Sequence, residues 1–158
     1  MIIISDTSVL TNLIQLDQLS LLEKLFGHVL IPKKVFSELS KIPGQIPIIE
    51  RISWIEIRSA SNSEIVEKLA MQLDLGEAES IALAIEEKAD LLLIDERKGR
   101  RIAQQNGILI TGLLGILIEA KAEKHLKEVK PLLDKLIFEI GFRVSPKLYQ
   151  QVLTEINE

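Results

Sequence analysis

Short uninterrupted aliphatic runs alternate along this chain with longer stretches in which apolar residues return every three or four positions. Residues 2–5 form one such run, too brief for a helix and closed by Asp6-Thr7-Ser8, and predict a fully buried strand. Leu10, Leu13, Ile14, Leu21, Leu22 and Leu25 then recur at helical spacing, so the pattern predicts helix over that whole stretch. Residues 29–31 read as a second strand. Pro32 suits a helix's first turn, and Val35, Leu39 and Ile42 carry the helix to a stop at Pro43-Gly44. Residues 54–57 give a weaker strand, 63–73 a helix, and 77–85 another with acids in its first turn. Residues 91–94, ending at Asp95, are the clearest strand. A charged helix over 96–105, a strand over 108–110 and a helix over 113–124 complete the alternation.

Continuous aliphatic strands separated by helices predict an α/β fold, a central parallel sheet covered by helices on both faces. No repeat or low-complexity linker divides the chain, so residues 1–158 are expected to form a single domain. Residues 126–158 read as a helical C-terminal extension packed on it, with Pro131 near one start, Gly141 as a break and Ser145-Pro146 as cap and first turn.

Composition removes several chemistries. With no Cys there is no disulfide, thiolate metal site or thiol nucleophile. The first residues lack the basic start and apolar core of a signal peptide, and no apolar run approaches the roughly 20 residues of a spanning helix. A soluble, cytoplasmic protein is the expectation. The net charge of −4 argues, taken in bulk, against a polyanionic partner.

The charges are not spread evenly, however. Asp6 and Asp95 each follow an aliphatic strand, and the carboxyl edge of an open α/β sheet is where ligands bind. Either aspartate alone serves equally well as a helix cap. Glu38 shares a helix face with Val35 and Ile42, and Glu77 shares one with Ile81, Ala84 and Ile85, so both are expected to point inward. Glu79 falls on a more mixed stripe and is expected to be more solvated than Glu77. Carboxylates that converge without matching bases raise one another's pKa and invite a cation. His28 and His125 show no ligand spacing, so an all-oxygen site favours Mg²⁺ or Mn²⁺.

Ser5-Asp6-Thr7-Ser8, Val35-x-x-Glu38-Leu39, the segment from Gly76-Glu77 to Leu83-Ala84, and Leu92-Leu93-Ile94-Asp95-Glu96-Arg97 together resemble the ordered acidic motifs of PIN-domain nucleases. The closest likeness is to the DUF3368-type branch, related to VapC toxins. Ile110-Thr111-Gly112-Leu113-Leu114-Gly115 and Gly141-Phe142-Arg143-Val144-Ser145 extend it over nearly the whole chain. The resemblance implies a PIN-like three-layer fold and a Mg²⁺- or Mn²⁺-dependent endoribonuclease acting on single-stranded or structured RNA. It also implies a homodimer and a cognate antitoxin, as in a type II toxin–antitoxin pair. Carried over position by position, Asp6, Glu38 and Glu77 match the first three acids, and either Asp95 or Glu96 the fourth. Glu77 stands where many relatives have Asp, and Ile94 where Thr is common.

Beside the fourth acid lies a basic cluster, Arg97, Lys98, Arg100 and Arg101, suited to holding an RNA backbone or simply to facing solvent. Ser8 offers a hydroxyl to a metal ligand, a water or the helix start. A non-catalytic α/β binding or dimerisation module with the same acids as caps is the competing reading, and absence of divalent-ion binding would favour it. Leu132, Leu133, Leu136 and Ile137 suit either core or a dimer or antitoxin surface.

Overall fold

A computed structural model describes residues 1–158. Five strands, β1 (Ile3–Ser5), β2 (Val29–Pro32), β3 (Ile55–Arg58), β4 (Leu91–Leu93) and β5 (Ile110–Thr111), form one all-parallel sheet in the order β3-β2-β1-β4-β5. This is the expected α/β arrangement. Successive strand residues face opposite sides, and the burial follows that period of two. Ile3, Val29, Ile31 and Leu93 enter the larger core, whereas Ile4, Leu30, Leu92 and Ile94 enter the smaller. Both faces are therefore apolar, which is why the strands read as unbroken aliphatic runs.

The larger core is covered by α1 (Thr7–Gln15), α2 (Ser20–Phe26), α8 (Leu113–Ala122), α9 (Lys130–Lys135) and α10 (Pro146–Glu155). The smaller is covered chiefly by α6 (Leu75–Glu87) and α7 (Arg97–Gln105), with α5 (Ser63–Ala70) packed against α6. In the chain α3 (Lys33–Leu39) and α4 (Gln45–Glu50) follow β2, and they add Val35, Leu39 and Ile49 to the larger core.

The helical stretch expected over 10–25 is two helices, because the chain turns at Asp17, whose φ of 57° is incompatible with helix continuation. The fifth strand lies at Ile110–Thr111 rather than at 108–110. Helix α4 has no counterpart in the sequence reading, in which the preceding helix stops at Pro43-Gly44; Pro47 stands in its first turn, where a proline forfeits no helical bond. Ser145 caps α10 through Leu148 N as expected, at 3.1 Å. Leu133 and Leu136 are fully buried, and Leu132 and Ile137 pack against them, so this quartet is core rather than a free docking surface. A π-helical turn, Leu136–Ile140, follows α9 directly.

The sheet reverses its order at β1, which has β2 on one side and β4 on the other. Ser5 pairs with Leu93, and Asp6 N donates to Leu93 O at 2.9 Å. The carboxyl ends of β1 and β4 are thereby level at the switch point, where an open α/β sheet leaves a crevice.

Candidate active site

Asp6 and Asp95 leave β1 and β4 at that crevice and line one cavity of about 530 Å³ together with Glu38, Asp74, Glu77 and Glu96. Helix starts deliver most of these acids. Asp6 precedes α1, Asp74 and Glu77 belong to the first turn of α6, and Glu96 precedes α7. The positive ends of three helices thus face a negatively charged hollow.

Asp6 is 4% exposed and Glu77 7%. Asp6 Oδ1, Glu77 Oε2 and Asp95 Oδ2 are buried without a hydrogen-bond partner. Orphaned carboxylate oxygens are costly, and three around one cavity mark a place built for a positively charged or proton-donating guest. Burial pushes the Asp6 carboxyl up to about 7, opposed by the Thr7 backbone N–H and reinforced by the charges of Asp74, Glu38 and Asp95. Burial likewise pushes Glu77 up to about 9, aided by hydrogen bonding to the Asp74 side chain and by the charges of Asp74, Asp6 and Glu96. Asp95 is raised by burial, with the Leu113 N–H and Arg100 pulling the other way. The donor chemistry, oxygen only, fits a hard divalent ion. No group of three or more acidic or imidazole side chains is already spaced to enclose one.

Glu38 is differently engaged. It accepts from the Thr7 hydroxyl and, at 3.0 Å, from Gly76 N, so it ties the end of β1 to the start of α6. Between the two candidates for the fourth acid, Asp95 is the less exposed, half-buried with its Oδ2 enclosed; its Oδ1 accepts from Leu113 N at 2.9 Å at the start of α8. Glu96 is exposed at the cavity mouth. Three glycines permit this crowding: Gly76, where a Cβ would collide with the Glu38 carboxylate, Gly99 and Gly112. A Cβ on Gly99 would stand 2.7 Å from Glu77 Oε2, and one on Gly112 would collide with Asp95 Oδ1 and stand 2.7 Å from Arg100 Nη1. Gly112→Ala is accordingly expected to destabilise the fold by about 1–3 kcal/mol, the usual cost of overpacking, read from urea denaturation. Unchanged stability would mean that Asp95 and Arg100 have room to move.

A family model described as DUF3368: PIN domain matches residues 2–158. The chain belongs to the PIN-domain family. PIN domains are generally nucleases, and the five-stranded parallel sheet with helices on both faces is a PIN-like fold. No curated protein matches the chain.

Within this PIN domain all five acids singled out from the sequence, and Ser8, line the same cavity. The basic cluster divides. Arg97, Arg100 and Arg101 line an adjoining groove, whereas Lys98 lines neither hollow because its position on α7 turns it outward to solvent. The expectation for Glu79 is overturned. It is 6% exposed, no more solvated than Glu77, because it accepts from Lys34 N at 2.8 Å at the start of α3 and from Ala60 N at 3.4 Å. Asp74 escaped the sequence reading. Its sequence signal is the cap pattern Asp74-Leu75-Gly76-Glu77, and it does cap α6, its Oδ1 accepting from Glu77 N at 2.8 Å. Phe142 and Arg143 have no site role in the sequence reading beyond the family likeness of their segment, since only the fold returns that late segment to the cavity rim.

Proposed function

We propose that this PIN domain is a Mg²⁺- or Mn²⁺-dependent endoribonuclease that hydrolyses RNA phosphodiester bonds, with residues 1–158 acting as one unit. The observation that carries the reading is the trio of buried, unpartnered oxygens on Asp6, Glu77 and Asp95. These residues would hold the ion, with Glu96 at the mouth as a further oxygen donor. A hard divalent ion, when bound, lowers the pKa of water and neutralises charge on the phosphate. The chain's own residues do the rest. Glu38, fastened by Thr7 and Gly76, sets the distance between the β1 and α6 acids and acts as a positioning residue. Asp74, which accepts from Glu77 N at 2.8 Å, fixes the first turn of α6 and with it the place of Glu77 in the cavity. Ser8, exposed at the start of α1, faces the side from which substrate enters. Arg97, Arg100 and Arg101 of α7, which line the adjoining groove, offset the phosphate charge that the acids would otherwise repel.

Support for a toxin role, a homodimer and a cognate antitoxin is the likeness to the VapC branch alone. No helix is long and apolar enough to cross a membrane, and cytoplasmic RNA is the substrate pool this reading requires. The competing reading, a non-catalytic binding module with a degenerate site, draws on the lack of a group already spaced for an ion. The deciding experiment incubates purified protein with labelled RNA, with and without Mn²⁺. Internal cleavage that EDTA suppresses is expected; no cleavage with Mn²⁺ or Mg²⁺ would leave the binding module standing.

A further inference from the structure

Two hollows of opposite character meet at the sheet's carboxyl edge. The acidic cavity carries a single apolar side chain, Phe142, and a single base, Arg143. The adjoining groove, about 640 Å³, carries Arg97, Arg100, Arg101 and the same Arg143, against one acid, Asp95. Asp95, Phe142 and Arg143 line both, so the hollows form one continuous path with Arg143 at the junction. Arg100 is anchored there, its Nη1 donating to Ile94 O at 2.9 Å, which leaves the rest of its donor fork for the groove. Arg97, Arg101 and Arg143 are exposed and appear in no ion pair, so their charge is not spent on protein carboxylates. The bases line the path on one side of the acids only.

Resting on the phosphodiesterase reading above, we propose that the RNA strand leaves the acidic cavity in one direction, past Arg143 into this groove. There Arg143, Arg97 and Arg101 clasp the phosphates that follow the scissile one. Arg143 is the positioning residue, placing the first phosphate beyond the cut so that the next one over lies among the acids. Four guanidinium groups in a strip suit consecutive backbone phosphates better than one compact anion.

The test measures binding, not cleavage. Full-length protein in an Asp6→Asn background, with Mg²⁺, is titrated against a fluorescein-labelled oligouridylate of about 12 nucleotides at several salt concentrations. Arg143→Ala is expected to weaken binding roughly tenfold and to reduce the slope of log K against log salt by about 0.7, one single-strand phosphate contact. Arg143→Lys should restore the slope, and Lys98→Ala, outside both hollows, should change neither quantity. Arg143→Ala with unaltered affinity and slope overturns the path, as does an equal loss from Lys98→Ala or no binding by the parent protein at low salt. The two readings fail separately: a protein that cuts no RNA yet loses its salt slope with Arg143 keeps the groove, and one that cuts RNA with an unaltered slope keeps only the activity.

Discussion

Replacing Asp6 with asparagine should stabilise the metal-free protein at pH 8 while lowering RNA cleavage by a hundred- to a thousandfold or more. The two effects share one cause. In the unfolded chain the aspartate has its ordinary pKa of 3.8, whereas burial holds it near 7 in the fold. As pH rises from about 4, the unfolded state gives up this proton first, so stability falls until the folded group has ionised near 7 and stays low above it. The displacement corresponds to at most about 4 kcal/mol, and water reaching the open cavity trims that figure. Asparagine has the same shape and no proton to lose. At pH 8 the variant should melt several degrees higher than the parent in EDTA, at about 2–4 °C per kcal/mol. Near pH 3 the difference should vanish, because there the parent's Asp6 is neutral in the fold and largely protonated when unfolded. Equal stabilisation at both pH values, or none, would show that burial of charge is not what Asp6 costs. Uncoupling of activity from stability in this direction is the pattern of a site whose geometry serves a guest rather than the fold.

How much of this was legible in the sequence depended on which rule each residue obeyed. Asp6 and Asp95 stood out because the strands before them are buried on both faces, leaving an aliphatic run that ends abruptly in a charge. Glu77 was found by its helical stripe, but that rule assumes a helix with a wet side. Residues 76–84 of α6 are all buried, so the stripe distinguished nothing and Glu79 was misplaced. Asp74 was hidden by an adequate local role, since capping α6 gives the residue a sufficient reason to be there. Arg143 had only the family likeness of its segment, which assigns it no role: it lies two residues past Gly141 in an irregular stretch before α10, and only the folded chain brings it to the rim. The net charge of −4 misled because it averages a hollow lined by six acids with a groove lined by four arginines.

These same carboxylates make divalent-ion affinity steeply dependent on pH. An ion entering among Asp6, Glu77 and Asp95 meets groups that hold protons near neutrality, Asp6 to about 7 and Glu77 to about 9. Those protons must leave, so acid competes with the metal and affinity rises with pH. Below pH 7 both groups are protonated in the metal-free fold and nearly two protons depart per ion; between 7 and 9 Asp6 is already ionised and about one departs, from Glu77. Mn²⁺ affinity measured by calorimetry should therefore rise close to a hundredfold from pH 5.5 to 6.5 and only about tenfold from pH 7.5 to 8.5. The binding enthalpy should depend on the ionisation enthalpy of the buffer in the same two-to-one ratio. Affinity that is flat across this range would mean that the ion sits outside the buried trio, at exposed Glu96 and the mouth of the cavity, and that the orphaned oxygens have another use.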